Sequence, residues 1–135
     1  MHLRAAGVRM GLVSASRNAR LVLELLGIGD WFQTIIDGNA KVKSKPSPQS
    51  FLLAAKNLHV KPARCIVVED AEAGIRAGQA AGAKCIGVGE AAYNADLHVP
   101  SLAAVTLELI EQVHVGTRIG IRAAASATRR RTTAA

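Results

Sequence analysis

Residues 64–75 read Arg-Cys-Ile-Val-Val-Glu-Asp-Ala-Glu-Ala-Gly-Ile, and this stretch decides the fold. The consecutive apolar residues at 65–68 are typical of a strand that is buried on both faces, as strands of a parallel sheet are. Two adjacent carboxylates, Glu69 and Asp70, end that strand, and the amphipathic segment 71–81 predicts a helix directly after them. A buried strand, an acidic turn and a helix together predict a parallel β-α-β unit.

The same alternation of apolar runs and amphipathic segments extends through most of the chain. Short apolar runs predict further strands at residues 10–13, 34–36, 85–88 and 97–99. Amphipathic segments predict helices at residues 18–26, 47–58 and 106–113, of which the first carries an apolar face of Leu21, Val22, Leu25 and Leu26. The fold class is therefore α/β, with an open parallel, Rossmann-like sheet and helices on both of its faces.

Length and composition restrict the kind of protein further. With 135 residues the chain forms one domain, and no apolar run approaches the roughly 20 residues of a membrane span. The sequence does not open with an apolar segment of signal-peptide length, which predicts a cytoplasmic protein. Cys65 and Cys85 lie inside apolar runs and are predicted to be buried reduced thiols, with a disulfide or redox pair as the alternative.

The net charge of +7 is concentrated at one end of the chain. Five arginines lie after Gly116 and no acidic residue follows Glu111, so the rest of the chain is close to neutral. We therefore divide the chain into an α/β domain at residues 1–115 and a basic, low-complexity tail at residues 116–135, predicted to be disordered. Nucleic-acid binding is disfavoured, because the body offers neither a reading helix nor stacking aromatic residues beside that tail.

Polar or flexible residues follow four of the predicted strands, at the carboxyl ends where open α/β sheets bind their ligands. These residues are Ser14, Asp37, the Glu69-Asp70 pair and Gly89. The first of these positions opens the segment Ser14-Ala15-Ser16-Arg17-Asn18, which combines hydroxyls, backbone N–H groups and a guanidinium at the start of a helix. Such a segment is suited to binding phosphate, and ordinary helix capping beside a surface arginine is the alternative.

A lysine-rich loop, Lys-Ser-Lys-Pro-Ser-Pro at residues 43–48, supplies a candidate cation. Pro46 restricts the backbone of Lys45 to extended conformations, which limits the directions in which the lysine side chain can project. Lys41 and Lys43 lack this restriction and are predicted to be solvated.

The acidic pair Glu69 and Asp70 supplies candidate ligands for a divalent cation. Adjacent carboxylates repel each other unless a cation neutralises them, and Mg²⁺ prefers oxygen ligands of this kind. Capping of the following helix by Asp70 is the alternative, although a cap needs only one of the two acids. Together with Lys45, the pair predicts a site for phosphate and Mg²⁺.

Four segments resemble the β-phosphoglucomutase-like subfamily of the haloacid dehalogenase (HAD) superfamily. They are LVSASRN, KSKPSPQSF, IVVEDAEAGIRAGQAAGAKCIGVG and ADLHVPSL, which together extend from about Gly7 to Val113. Their order and spacing make the match specific, and it implies that residues 1–115 are part of a HAD-type core domain.

The resemblance also implies roles for individual residues. The residues that hold the transferring phosphoryl group would be Ser14 and Lys45. Those that contact the other phosphate of the substrate would be Ser16, Arg17 and Asn18, and the Mg²⁺ ligands would be Glu69 and Asp70. The family reaction moves phosphate between C1 and C6 of glucose through a bisphosphorylated sugar and an aspartyl-phosphate enzyme, so a sugar phosphate such as β-glucose 1-phosphate is the implied substrate.

The sequence departs from the family pattern in one respect that decides its chemistry. The family opens with an Asp-x-Asp-Gly strand that supplies the nucleophile and lies at the centre of the sheet, and no Asp-x-Asp occurs in this sequence. The helical cap domain is also missing. Because removal of a covalent nucleophile costs about 10⁶ in rate, we expect a truncated phosphotransferase or phosphatase that is inactive by itself. We also expect the isolated chain to be marginally stable, to aggregate, or to close its sheet around a gap.

Two interpretations of function follow. The chain is a fragment of a HAD-type sugar-phosphate phosphotransferase or phosphatase, or it is a non-catalytic sugar-phosphate-binding protein that a partner completes in trans by supplying the missing strand.

Overall fold

The computed structural model describes residues 2–115; the tail predicted at 116–135 lies outside the described part. The described helices are α1 (His2–Ala5), α2 (Ala19–Leu25), α3 (Gln49–Asn57), α4 (Glu72–Ala80) and α5 (Leu107–Val115). The strands are β1 (Gly11–Val13), β2 (Thr34–Ile36), β3 (Ile66–Glu69), β4 (Lys84–Val88) and β5 (Leu97–Val99). Each predicted strand is present to within one residue at either end, whereas α1 was not predicted.

The strands form two parallel sheets. β1 pairs with β2, with Val13 opposite Ile36. β4 lies between β3 and β5 in the second sheet, with Val67 opposite Cys85. Within residues 2–115 no ladder joins β1 to β3, so each of these strands is paired along one edge only. The prediction of an α/β fold with a parallel sheet that is incomplete at its centre is confirmed.

Helices cover both faces of the three-stranded sheet. On one face, Val67 and Cys85 pack with Ile75 of α4, which is completely buried. On the other face, Ile86 packs with Leu109 of α5. Consecutive residues of β4, Cys85 and Ile86, thus enter cores on opposite sides, which explains why this strand is apolar at successive positions. In β3 only Val67 is buried and Val68 is 38% exposed, so the predicted burial of that strand on both faces is wrong at its end.

The predicted apolar face of α2 is wrong. Ala19 and Leu23 are the buried residues of this helix, whereas Leu25 is 77% exposed. Exposure extends to the rest of the predicted face, Leu21, Val22 and Leu26. Apolar residues occur nearly all around α2, so their period alone could not identify the stripe that packs. The buried stripe contains Ala19 and Leu23 instead of the predicted leucines.

The ends of the helices follow the expected turn chemistry in two places and depart from it in one. Gly27 and Gly82 follow α2 and α4 with φ angles of 67° and 87°, the left-handed conformation that suits glycine after a helix. The N-cap position of α4 is occupied by Ala71 without a side-chain capping hydrogen bond. The alternative in which Asp70 caps this helix is therefore wrong, because Asp70 lies one residue too early.

Both cysteines are free, as predicted. Cys85 is fully buried, and burial raises the pKa of its thiol to about 11, so the thiol is protonated at neutral pH. Cys65 is half-buried at the start of the neighbouring strand. No helix in the described part of the chain is long and apolar enough to cross a membrane.

The two leucines of α2 provide a direct test of which face packs. Leu23→Ala should lower the free energy of unfolding by about 2–4 kcal/mol, because it removes buried methyl groups and leaves a cavity. Leu25→Ala, the matched control on the same helix, should change it by less than about 0.5 kcal/mol. Urea denaturation of the two variants measures both values. Equal losses for the two variants would mean that Leu25 is also buried in solution and would contradict the assigned orientation of α2.

Candidate functional site

The loop after β1 is shaped by its own serines. The Ser14 N–H donates to the carbonyl of Ile36 at 2.8 Å and so continues the pairing with β2. Ser14 Oγ accepts the N–H of Ser16 at 3.1 Å, and Ser16 Oγ accepts the N–H of Asn18 at 3.2 Å. Because both hydroxyl oxygens already act as acceptors, their protons are left to donate to another group, such as a phosphate oxygen.

The remaining side chains of this loop point away from the fold. Arg17 and Asn18 are exposed, and Asn18 occupies the N-cap position of α2 without forming a side-chain capping hydrogen bond. The capping half of the alternative is therefore wrong, whereas its surface arginine is what the structure shows. The guanidinium and the amide remain accessible to a ligand.

The loop after β2 is bonded to the loop after β1. The Gly38 N–H donates to the carbonyl of Ser16 at 3.0 Å, and the Asn39 side-chain amide donates to the carbonyl of Arg17 at 3.2 Å. The Arg20 guanidinium pairs with the carboxylate of Asp37 at 3.1 Å. The two loops consequently form one connected unit at the carboxyl ends of β1 and β2.

Lys45 lies between the two sheets. Its peptide bond to Pro46 is cis, and its side chain is 21% exposed. The ammonium lies 3.5 Å from the carbonyl oxygen of Val13, 3.5 Å from Oε1 of Glu69 and 5.0 Å from the centre of the Phe51 ring. A separation of 3.5 Å is long for a hydrogen bond, so the ammonium retains capacity to bind an anion. Lys41 and Lys43 are exposed, as predicted.

The contact with Val13 locates Lys45 at the unpaired edge of β1. In a trans peptide the C=O and the following N–H point in opposite directions. The Ser14 N–H points toward β2, so the Val13 carbonyl points away from β2 and toward the gap between the sheets. Lys45 occupies this gap and reaches the end of β3 through Glu69.

Glu69 is a carboxylate whose burial is only partly compensated. Its side chain is 14% exposed. Burial raises the pKa of the Glu69 carboxyl, the nearby charge of Asp70 raises it further, and the Lys45 ammonium opposes both. The carboxylate lies over the start of α4, where a Cβ on Gly74 would be 1.2 Å from Oε2. A glycine at position 74 is therefore required for Glu69 to reach Lys45.

Asp70 offers a second carboxylate without a partner in the described part of the chain. It is exposed, and its side-chain oxygens form no hydrogen bond or ion pair within residues 2–115. These residues contain no cluster of three or more His, Cys, Asp or Glu side chains that could hold a metal ion by itself. Two carboxylates nevertheless fit Mg²⁺, which binds through one or two of them and completes its shell with water and phosphate oxygens.

Two shallow cavities lie at the surface of the described part. One of about 220 Å³ is lined by Pro46, Glu72, Ala73 and Arg76, directly beside the lysine loop. A larger one of about 330 Å³ lies on α5 and includes none of the site residues. The chemistry of the side chains, and not the size of a pocket, therefore identifies the site.

The structure brings together part of the predicted site. Lys45 contacts the Val13 carbonyl at the end of β1 and the Glu69 carboxylate at the end of β3, and Ser14 and Asp70 are the next residues in the chain. The other predicted residues, Ser16, Arg17 and Asn18, lie farther along the loop and make no described contact with Lys45 or the acids. Sequence reasoning singled out Asp37 as a strand-end residue but missed Gly74 and the contacts of Gly38 and Asn39 with the loop after β1, although the glycines of EDAEAG and IIDGN were the available signal.

Fold and site together define a class of protein, a Rossmann-like α/β domain. The carboxyl ends of its strands carry hydroxyl and carboxylate groups, and the ammonium of Lys45 lies beside them. The model of the haloacid dehalogenase-like hydrolase family matches residues 1–82, and the chain belongs to this family, in its β-phosphoglucomutase-like subfamily.

Individual relatives agree with this assignment. A β-phosphoglucomutase of Bacillus subtilis (strain 168) is 44% identical over 112 residues, covering 82% of this chain and 50% of the relative. A fructose-1-phosphate phosphatase of Escherichia coli (strain K12) is 37% identical over 79 residues, covering 58% of this chain and 42% of the relative. The crystal structure of β-phosphoglucomutase from Clostridium difficile superposes with a TM-score of 0.81 at 38% identity, covering 87% of this chain and 54% of that one. The chain thus spans about half the length of these relatives.

The pairing of Lys45 with Glu69 should make stability depend on pH. Lys45→Met removes the ammonium that opposes the raised pKa of Glu69, so the ionised carboxylate is left without its partner. We expect a loss of about 1–2 kcal/mol in the free energy of unfolding at pH 7. A raised pKa favours folding only while Glu69 is protonated, so the loss should shrink as the pH falls through that pKa.

Urea denaturation at several pH values between 4 and 8 measures this dependence. The control is Lys43→Met, which removes the same charge from an exposed position two residues earlier and should change stability little at any pH. A loss for Lys45→Met that did not vary with pH would show that Glu69 does not depend on this ammonium.

Proposed function

We propose that the chain provides the phosphate- and Mg²⁺-binding part of a HAD-type sugar-phosphate phosphotransferase or phosphatase, and that by itself it binds a sugar phosphate without turning it over. The observation that carries this proposal is the position of Lys45. Its ammonium lies 3.5 Å from the carbonyl of Val13, the residue before Ser14, and 3.5 Å from the carboxylate of Glu69, and both contacts are long enough to admit an anion.

In this proposal each residue contributes by its chemistry. Ser14 donates its hydroxyl proton and Lys45 its positive charge to the transferring phosphoryl group. The accessible side chains of Ser16, Arg17 and Asn18 bind the second phosphate of a sugar bisphosphate.

The carboxylates of Glu69 and Asp70 would hold Mg²⁺. When bound, Mg²⁺ neutralises charge on the phosphoryl oxygens, which is its usual contribution to phosphoryl transfer. β-Glucose 1-phosphate is the substrate proposed here, because several of the relatives are β-phosphoglucomutases. A cytoplasmic location remains part of the prediction from the sequence.

A binding experiment on the 135-residue chain tests the proposal. Titration with β-glucose 1-phosphate in the presence of Mg²⁺, followed by calorimetry, should detect binding without release of phosphate or formation of glucose 6-phosphate. Lys45→Gln should weaken this binding on the order of tenfold, because it removes a charge-assisted contact to phosphate. The control Lys43→Gln should leave it nearly unchanged.

Two outcomes would contradict the proposal. Equal affinity of the Lys45→Gln and Lys43→Gln variants would remove Lys45 from the site. Turnover by the isolated chain would show that the missing nucleophile is not needed.

Asp70→Asn, a change at an exposed position, should abolish the part of the affinity that depends on Mg²⁺ and so tests the metal ligands separately.

A second candidate function is favoured by the unpaired edges of β1 and β3. A parallel strand supplied by a partner would fit between them, pair with both, and offer its own N–H to the carbonyl of Val13. That strand would compete with the Lys45 ammonium for this carbonyl and free the ammonium to contact phosphate. In this interpretation the chain becomes an enzyme only when a partner completes the sheet.

Co-expression tests this second candidate. The part of Bacillus subtilis β-phosphoglucomutase that the chain does not match, produced as a separate polypeptide, should co-purify with the chain and restore phosphate transfer from β-glucose 1-phosphate. Activity of the complex should require Lys45, so Lys45→Gln is the control. Separate elution of the two polypeptides would exclude completion by strand insertion.

A further inference from the structure

The loop proposed to bind phosphate is held by a segment that provides no predicted ligand. This segment, residues 37–39, follows β2 and forms two contacts with the loop after β1 and one with the first turn of α2. They are the Gly38 N–H to the Ser16 carbonyl, the Asn39 amide to the Arg17 carbonyl, and the Asp37 carboxylate to the Arg20 guanidinium. We name residues 37–39 together with Arg20 the loop brace.

The brace depends on very close approach of two backbones. A Cβ on Gly38 would lie 2.3 Å from the carbonyl oxygen of Ala15 and 2.8 Å from the backbone nitrogen of Arg17. Any larger residue at position 38 would therefore push the Ser14–Asn18 loop outward. The space that glycine leaves is what allows both backbone contacts to form.

Asp37 is the charged centre of the brace. Its side chain is 8% exposed, and its two oxygens are both used: one accepts the Asn39 N–H at 2.9 Å and the other accepts from Arg20 at 3.1 Å. The Asn39 backbone N–H lowers the pKa of Asp37 most, and Arg20 lowers it further, so Asp37 is ionised at neutral pH. Arg20 also donates to the carbonyl of Ile35 at 2.8 Å, which ties the brace to β2.

We propose that Asp37 is a positioning residue: through Arg20, Gly38 and Asn39 it fixes the backbone of Ser16 and Arg17, and the anion affinity of the Ser14–Asn18 loop depends on it. This inference rests on the proposed function, because it assumes that the loop binds phosphate. Asp37 itself does not touch the anion.

Electrostatics and positioning predict opposite effects for the same substitution. Asp37→Asn removes a negative charge beside the loop and leaves Arg20 unneutralised, so Coulomb attraction alone would strengthen the binding of an anion. If Asp37 acts by positioning, the same substitution weakens binding, because the loop is no longer held. The sign of the change therefore separates the two effects.

Titration of the ¹⁵N-labelled 135-residue chain with inorganic phosphate, followed by amide chemical shifts, tests the inference. Asp37→Asn should bind phosphate on the order of tenfold more weakly than the unchanged chain, with shifted amide signals at Ser16 and Arg17. The control is Asp30→Asn, which removes the same charge in the turn that precedes β2, at the opposite end of that strand, and should bind at least as tightly as the unchanged chain.

Each outcome decides a separate point. No phosphate binding by the unchanged chain would overturn the proposed function and this inference with it. Binding by the unchanged chain together with equal or tighter binding by Asp37→Asn would overturn only the inference. If Asp37→Asn does not fold, the Asn39→Ala variant tests the inference instead. This substitution removes the hydrogen bond from the exposed Asn39 side chain to the Arg17 carbonyl and should weaken phosphate binding about threefold. Unchanged affinity of Asn39→Ala would overturn the inference.

Discussion

The carbonyl of Val13 must find a hydrogen-bond donor on the side of β1 that has no neighbouring strand. A backbone carbonyl left without a donor in a partly buried position is costly, and here the Lys45 ammonium approaches it from the gap between the sheets. The same ammonium faces the carboxylate of Glu69 at the end of β3 and the ring of Phe51. One side chain thus links strands of two sheets that no ladder joins within residues 2–115.

Two glycines leave the space that the close contacts of the site require. Gly74 leaves the space that the Glu69 carboxylate occupies above α4, and Gly38 allows the loops after β1 and β2 to touch through their backbones. At neither position does the glycine serve a left-handed turn, since the glycines with positive φ lie elsewhere. Both glycines act through the absence of a side chain, so the geometry of the site depends on residues that have no functional group of their own.

The sequence predicted the strands well and the packing of the helices less well. Runs such as Cys65–Val68 identify a strand, and the structure confirms its position to within one residue, although Val67 is its only buried residue. In α2 apolar residues occur on several sides, so the period could not decide between Leu23 and Leu25.

Lys45, Glu69 and Asp70 could be identified from residue type and neighbouring prolines or strands. The brace around Asp37 could not, because its contacts join segments about 20 residues apart and become visible only in three dimensions.

The Lys45 ammonium contacts Glu69 and is also the group proposed to bind phosphate, and this links the two proposed ligands to each other. An anion that draws the ammonium away from Glu69 leaves this buried carboxylate without its counter-charge, and burial already raises the pKa of Glu69. In the proposed function, a divalent cation at Glu69 and Asp70 would replace the lost positive charge, so phosphate and Mg²⁺ would each lower the free-energy cost of binding the other. By thermodynamic linkage this coupling must be equal in both directions. The ion pair between Lys45 and Glu69 would therefore both stabilise the chain without ligands and couple the binding of its two proposed ligands.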